Sequence, residues 1–278
     1  MKLAIVMPSI GDRPWAASAA KTFTAYARSC GAAFVMETTV PDCFSLPSLP
    51  DRGRKNKIAY ASKTYFAWEY LHKYDRVLVV DDTCCVRAGA ANIFDATPFG
   101  HCGFTTTSTE HAERSFRKIR TLIAERGLPE IKYDPAQYMN SGVMVYDKTM
   151  MNALSPGRII DAAGLLLARH PHQTLSYYLL QSHGIPCHVL SNEFNQLPAM
   201  QLPKEKRIAI RNVRPHFDPR VQIHHVTSYY VHRERIVKDL ARLCLGQDGR
   251  SWGASPAKIL EKLTQCVTAA ARRLLPVG

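Results

Sequence analysis

The chain has 278 residues, of which 46% are apolar, so it is long enough to bury one large hydrophobic core. Its formal net charge of +13 exceeds what solubility requires and indicates an anionic partner, such as a nucleotide, a phosphorylated lipid, an acidic membrane surface or nucleic acid. The eight cysteines show no CxxC spacing, which argues against a zinc ribbon or a disulfide scaffold.

The cysteine pattern is also typical of reduced thiols in a cytosol. The first apolar run is broken by Pro8, too early for the apolar region of a signal peptide, and no apolar run is long enough to span a bilayer. We therefore expect a cytoplasmic protein.

The beginning of the chain predicts a β-loop-α-β unit. Residues 3–7 form an apolar run typical of a buried strand, residues 15–29 show a helical pattern, and residues 33–36 indicate a second strand. Such openings commonly place a nucleotide over the first strand's carboxyl end, but neither GxGxxG nor GxxxxGK[ST] follows here. A dinucleotide-binding fold and a P-loop are therefore disfavoured.

A pair of acids follows the next predicted strand. The apolar, β-branched run 77–80 is typical of a strand buried on both faces, and it stops at Asp81 and Asp82. In an open α/β sheet, ligands bind at the carboxyl ends of the strands, so the pair is a candidate for holding a metal and, through it, a phosphorylated substrate. The alternative is that the two aspartates only cap or turn the chain.

The rest of the chain continues the α/β pattern, with two further polar features. Residues 138–142 (YMNSG) predict a turn before a strand, with close backbone approach at Gly142 and the amide of Asn140 suited to a hydroxyl-rich ligand. His224 and His225 fall on a predicted strand, so only one of them can face a site. Helices are predicted near 58–71, 88–94, 116–123, 159–169, 172–184 and 231–245, and strands at 103–107, 143–146, 187–190 and 221–226.

The last part of the chain predicts a separate extension. We assign residues 1–248 to one domain and residues 249–278 to a basic tail, whose apolar positions recur at helical spacing. A basic amphipathic helix of this kind lies on an anionic membrane surface or docks on its own domain.

Several of these pieces occur in an order known from one enzyme family. The chain resembles the GT-A glycosyltransferases, specifically the family 8-like group that includes glycogenin and bacterial lipopolysaccharide galactosyl- and glucosyltransferases. The resemblance spans residues 1–240 and implies an α/β fold with a single Rossmann-like mixed central sheet flanked by helices. The segments that carry it are AIVMPSIG, YDRVLVVDD, YMNSGVMVYD, HQTLSYYLL, SNEFNQLP and IHHVTS.

The resemblance implies that the protein transfers a sugar from a nucleotide-diphosphate sugar, with UDP as the expected nucleotide. The implied acceptor is a glycan, a lipopolysaccharide or a glycolipid, as in polysaccharide biosynthesis. Retention of the anomeric configuration is favoured over inversion, because no acid in the sequence marks itself as the base that inversion requires. The tail adds an anionic membrane as a second partner, which makes the expected location cytoplasmic or peripheral on the membrane's inner face.

The resemblance also implies a Mn²⁺ or Mg²⁺ cofactor that neutralises the leaving diphosphate. Its ligands are predicted to be Asp81, Asp82 and His225, with Thr83 and His224 as alternatives. Thr83 stands where the family motif has its second acid, so Asp82 is expected to supply the missing carboxylate, unless Thr83 binds weakly or through water.

The remaining roles concern the sugar donor. Gln173 and Asp81 are the predicted catalytic residues. His172 replaces an acid that usually binds hydroxyl groups of the donor sugar, which favours a sugar other than glucose or galactose, such as a deoxysugar. The predicted donor-binding residues are Pro8, Ser9, Ile10, Lys63, Asp81, Asn140, Ser141, Gly142, His172 and Gln173.

Two other functions remain open at this stage. A sugar-nucleotide nucleotidyltransferase shares the α/β design, but its first loop normally carries more glycine than the loop after residue 7 does. An inactive GT-A-like protein that binds a membrane or nucleic acid is allowed by the charge and the tail, although nucleic acid is the less favoured partner.

Overall fold

The structure is a computed structural model that describes residues 1–42, 44–47, 49–50, 53–197, 218, 220–226 and 232–247. The strands are β1 (Leu3–Pro8), β2 (Ala32–Glu37), β3 (Arg76–Val80), β4 (Cys84–Val86), β5 (Cys102–Thr106), β6 (Met139–Asp147), β7 (Cys187–Val189) and β8 (Ile223–His225). The helices are α1 (Ala16–Cys30), α2 (Arg54–Leu71), α3 (Thr109–Glu125), α4 (Pro156–Asp161), α5 (Pro171–Ser182) and α6 (Arg233–Cys244).

A mixed six-stranded sheet with the order β2-β1-β3-β6-β5-β7 forms the centre of the molecule. Strands β2, β1 and β3 are parallel, β6 is antiparallel to both β3 and β5, and β7 is parallel to β5. Val80 at the end of β3 pairs with Val143, so the first residues of β6 lie beside the carboxyl end of β3. This pairing brings the YMNSG segment to the acid pair.

The sheet is buried on both faces, as its apolar strands predict. Along β3, Val77 and Val79 point to the core beneath α2 and α5, whereas Leu78 and Val80 point to the core beneath α1 and α6. All residues of β3 are buried. Strands β1 and β6 pair with β3, and the two cores cover its faces. The position of Asp81, which follows β3 directly, is therefore fixed by this packing.

A second, two-stranded sheet pairs β4 with β8 in antiparallel register, with Cys84 opposite His225 and Cys85 opposite His224. The Val226 N–H donates to the carbonyl of Thr83 at 3.0 Å and extends the pairing by one bond. The late histidines are therefore held beside the acid pair, although more than 140 positions separate them in the sequence.

Most predicted elements are confirmed within a few residues, three predictions are wrong in detail, and one strand was not predicted. No helix forms at residues 88–94, which make turns, and residues 84–86 form β4 where no strand was predicted. The predicted helix at 159–169 is divided into α4 and a 3₁₀ turn at Ala163–Leu167. Asn140 and Gly142 lie inside β6 and not in a turn before it, and a register shift opposite Thr105 accommodates them.

The predicted tail helix and the domain boundary at residue 248 lie outside the described residues. Among the residues that are described, no helix combines the length and apolar character needed to cross a membrane.

Candidate active site

Asp81 lies at the carboxyl end of β3 and contacts two nitrogen-bearing side chains. Its backbone N–H donates to the carbonyl of Gly142 at 2.8 Å, which fixes where the side chain begins. One carboxylate oxygen accepts a hydrogen bond from Nζ of Lys63, and the other lies 3.4 Å from Nε2 of His225. The side chain is 23% exposed, so the carboxylate remains accessible from solvent.

The surroundings of Asp81 favour its charged form. Burial alone raises the pKa of Asp81, but the positive charge of Lys63, and that of His225 whenever its ring is protonated, outweigh it and hold that pKa well below the usual range. The carboxylate is therefore ionised at neutral pH, as a metal ligand or a phosphate-site counterion must be.

Asp82 points to different partners. Its oxygens accept hydrogen bonds from the hydroxyl of Ser9 at 3.0 Å and from the indole N–H of Trp15 at 3.1 Å. Nε of Arg13 lies 3.6 Å from the same carboxylate. Asp82 therefore ties the loop after β1 to the end of β3 and shapes the start of the first helix.

A chain of hydrogen bonds holds His225 from the side opposite Asp81. Nδ1 of His225 lies 2.9 Å from Oδ1 of Asn195, and Nδ2 of Asn195 donates to Oδ1 of Asn140 at 2.8 Å. The Gly142 N–H donates to the same oxygen of Asn140 at 3.0 Å. Asn195 and His225 are both buried, so these bonds are shielded from water.

Gly142 makes room for the histidine ring. A Cβ atom at this position would lie 2.3 Å from Cε1 and 2.5 Å from Nδ1 of His225, closer than non-bonded atoms approach. The imidazole therefore packs directly against the backbone of β6, and the glycine of the NSG segment is required by this contact and not by a turn.

His172 and Gln173 form a buried polar patch at the start of α5. Among the described residues, neither ring nitrogen of His172 has a hydrogen-bond partner, nor does Nε2 of Gln173. Burial, reinforced by the charge of Lys63 and opposed by Asp81, lowers the pKa of His172 to about 3. The ring is therefore neutral and offers one donor and one acceptor to a ligand.

The other predicted positions are spread around this cluster. Pro8 ends β1, Ile10 belongs to the loop that Asp82 holds, and Ser141 lies in β6 between the two residues that contact the histidine network. Thr83 is buried in the turn that the Cys84 N–H closes on the carbonyl of Asp81 at 3.0 Å. His224 is buried, with its side chain on the face of β8 opposite to His225.

The donor set accommodates a divalent cation through two protein groups. A carboxylate and an imidazole are ligands that Mn²⁺ and Mg²⁺ accept, and Asp81 and His225 present them 3.4 Å apart. No cluster of three His, Cys, Asp or Glu side chains suited to a metal occurs within the described part of the chain. A cation held here would therefore take its remaining ligands from substrate oxygens, water or a hydroxyl.

Several residues of the site carried no clear signal in the sequence. Asn195 lies in SNEFNQLP, which indicates a polar turn and belongs to the segments that carry the resemblance, but no role was predicted for this residue. Arg13 and Arg233 place their guanidinium groups 5.5 Å and 5.2 Å from the centre of the Trp15 ring. Because the two arginines come from opposite ends of the chain, no local pattern relates them.

Comparison with known proteins identifies the fold. No protein-family model matches the sequence, and no curated protein matches it. The structure is similar to apo mouse xyloside xylosyltransferase 1, with a TM-score of 0.50 and 14% identity over 82% of this chain and 98% of that one.

Two further solved structures give the same result. A glycosyltransferase involved in glycosylation of the major capsid of PBCV-1 matches with a TM-score of 0.50 and 13% identity, over 86% of this chain and 100% of that one. The galactosyltransferase LgtC, solved with donor and acceptor sugar analogs, matches with a TM-score of 0.50 and 15% identity, over 86% of this chain and 95% of that one. The α/β architecture predicted from the sequence is thus confirmed, and the chain has the GT-A glycosyltransferase fold.

Proposed function

We propose that this protein is a glycosyltransferase that moves a sugar from a nucleoside-diphosphate sugar, with UDP as the expected nucleotide, to a glycan or glycolipid acceptor. The observation that carries the proposal is the meeting of Asp81, Lys63 and His225 at the carboxyl end of β3, within a glycosyltransferase fold. Ligands of open α/β sheets bind at this edge.

The charges around the acid pair suit a diphosphate leaving group. Breaking the anomeric C–O bond leaves a nucleoside diphosphate anion, whose developing charge needs nearby cations. A Mn²⁺ or Mg²⁺ ion held by Asp81 and His225 would supply this neutralisation when bound. Lys63 and the guanidinium groups of Arg13 and Arg233 add positive charge beside the same two aspartates.

The donor sugar is proposed to lie between β6 and α5. Oδ1 of Asn140 already accepts two hydrogen bonds, which leaves its Nδ2 group to donate to a sugar hydroxyl. Neutral His172 can accept one hydrogen bond and donate another, and Nε2 of Gln173 is a buried donor without a hydrogen-bond partner among the described residues. We place Gln173 near the anomeric carbon, and we favour retention of configuration on the strength of the family 8-like motifs.

His172 bears on the identity of the sugar. An aspartate accepts hydrogen bonds only, whereas a neutral imidazole matches a hydroxyl on one side and an acceptor on the other. Burying either group against a sugar that lacks the matching atom leaves a polar atom unpaired and costs about 1–3 kcal/mol. The site is thus proposed to prefer a donor sugar other than glucose or galactose, with a deoxysugar as the first candidate.

A screen of nucleotide sugars tests the proposal. We expect one nucleoside-diphosphate sugar, together with Mn²⁺, to raise the melting temperature and to be hydrolysed slowly in the absence of an acceptor. The Asp81→Asn variant should lose both effects. If no nucleotide sugar binds with or without Mn²⁺ or Mg²⁺, the proposal is wrong, and release of pyrophosphate from a nucleoside triphosphate and a sugar phosphate would favour a nucleotidyltransferase instead.

A further inference from the structure

The hydrogen bonds behind His225 determine the orientation of both amides. The Gly142 N–H is a backbone donor whose direction is fixed by the strand, and it points at the side chain of Asn140 at 3.0 Å. The atom that receives it must be the amide oxygen, because an NH₂ group in that place would set donor against donor. The orientation of Asn140 is therefore known without reference to any other side chain.

This orientation passes to Asn195 and then to the histidine. Since Oδ1 of Asn140 accepts, the atom of Asn195 that lies 2.8 Å from it must be Nδ2, the donor. Oδ1 of Asn195 then faces Nδ1 of His225 at 2.9 Å, and two acceptors cannot share that contact. The hydrogen of the neutral imidazole is consequently on Nδ1.

The result leaves an unusual contact on the other side of the ring. With the hydrogen on Nδ1, Nε2 of the neutral ring carries a lone pair, and it lies 3.4 Å from an oxygen of the ionised Asp81. A lone pair and a carboxylate repel each other unless a proton or a metal cation lies between them. Without the amides, the ring would favour the other tautomer, in which Nε2–H donates to Asp81.

We propose that Asn140 and Asn195 are positioning residues that hold His225 as the Nδ1–H tautomer, so that Nε2 and Asp81 form a ligand pair for a divalent cation. This proposal rests on the proposed function, in which the cation neutralises the diphosphate of the sugar donor. Hydrogen bonds from the second nitrogen of a metal-binding histidine commonly set its tautomer and its basicity in this way.

The first test reads the tautomer in the full chain without metal or nucleotide. Long-range ¹H–¹⁵N correlation spectra of ¹⁵N-histidine-labelled protein distinguish protonated from unprotonated ring nitrogens, and His225→Gln assigns the signal by its loss. At a pH where the ring is neutral, we expect Nδ1 protonated and Nε2 unprotonated. The opposite tautomer in the wild-type protein overturns the proposal whether or not the protein transfers sugar.

The second test changes the amide and measures Mn²⁺ affinity by electron paramagnetic resonance. Asn195→Leu removes both hydrogen bonds, so we expect the Nε2–H tautomer and roughly 10- to 100-fold weaker Mn²⁺ binding. Asn195→Asp keeps an acceptor for Nδ1–H and should keep the tautomer and Mn²⁺ binding, since carboxylates often fill this place. Its second oxygen then faces Oδ1 of Asn140 as acceptor against acceptor, so this variant should be less stable than wild type.

The outcomes separate the two proposals. An unchanged tautomer and affinity in a folded Asn195→Leu variant overturn the role of the amides, and wild-type protein that binds no Mn²⁺ overturns the role of the cation. Both readings are made without sugar transfer, so neither depends on finding the substrate. Circular dichroism of each variant verifies that it is folded, and the wild-type spectrum remains decisive if Asn195→Leu does not fold.

Discussion

The two consecutive aspartates after β3 belong to different environments. Asp81 contacts an ammonium group and an imidazole, and its side chain is 23% exposed. Asp82 receives hydrogen bonds from a hydroxyl and an indole, and its side chain is 12% exposed. The first carboxylate faces the proposed ligand site, and the second ties two segments of the chain together.

The difference shows how one strand end serves two purposes. The turn that follows β3 separates the two side chains. That of Asp82 reaches Ser9 and Trp15, whereas that of Asp81 stays beside Lys63 and His225. Here Asp82 shapes the loop after β1, and Asp81 is left to act with His225. The contrast predicts that equivalent substitutions at the two positions differ sharply in their effect on activity.

Replacing Asp81 by asparagine should give the largest effect. The substitution removes the charge that would hold a cation and leaves Lys63, which is 14% exposed, without its carboxylate. We expect donor hydrolysis to fall by about 10³-fold or more, in line with the loss of electrostatic stabilisation at an active site. The unpaired lysine should also cost about 1–3 kcal/mol of stability, measured by urea unfolding.

Asp82→Asn is the matched control for that prediction. An asparagine oxygen can keep one of the two hydrogen bonds that Ser9 and Trp15 donate, so the loop should remain largely in place. We expect a stability loss of about 1 kcal/mol and a decrease in activity of about tenfold or less. Equal losses of activity in the two variants would contradict the division of roles.

The fold could be predicted because its signals are local. The apolar run before Asp81 is short, β-branched and buried on both faces, which is the pattern of a central strand. The turn predicted at the NSG segment was wrong, because glycine in a sequence is typical of turns. In the structure the residue is extended within β6, and it is glycine because the ring of His225 occupies the place of a side chain.

The candidate site could be predicted only in part. Asp81, Lys63, Asn140 and His225 were predicted as site residues and are brought together, whereas Asn195 was not predicted at all. Its role depends on a pairing between β8 and residues near 196, which no spacing in the sequence encodes. The partners of Asp82 were missed for the same reason, since a carboxylate's hydrogen bonds are decided by the fold and not by its neighbours in the chain.

Gly142→Ala tests the environment of Asp81 and His225 without changing any charge. The new methyl group would lie 2.3 Å from the ring of His225, so the ring must move away from its present contact with Asp81 and Asn195. We expect about 10- to 100-fold weaker Mn²⁺ binding and a comparable loss of donor hydrolysis. Overpacking should cost a further ~1–3 kcal/mol in unfolding free energy.

Gly157→Ala provides the control for Gly142→Ala. Gly157 lies in α4, and no atom outside its own stretch of helix lies within 4 Å of a Cβ built there. This variant should match wild type in Mn²⁺ affinity and gain up to about 1 kcal/mol of stability, because alanine restricts the unfolded chain. If Gly142→Ala behaves like Gly157→Ala, the close packing of His225 against β6 is not required for the site.

The smallest expected effect concerns His172 and appears in the dependence of stability on pH. The pKa of its ring is lowered from 6.5 to about 3 by burial and by Lys63, so between these values the unfolded chain binds a proton that the folded chain does not. Stability must then fall as the pH falls, and His172→Gln removes this contribution. From pH 7 to pH 5 the wild-type protein should lose about 2 kcal/mol more than the variant does.

Urea unfolding at pH 5, 6 and 7 measures that difference, with the partly exposed His101→Gln as a control that should follow wild type. Parallel pH profiles for wild type and His172→Gln would mean that the ring titrates in the folded protein as it does in the unfolded chain. The conclusion that His172 is neutral in the folded protein would then be wrong. So would the proposal that its ring is prepared to bind a ligand near Asp81. A steeper wild-type profile instead shows that the ring of His172, which interacts electrostatically with Lys63 and Asp81 and not with the loop that Asp82 holds, is buried in its neutral form.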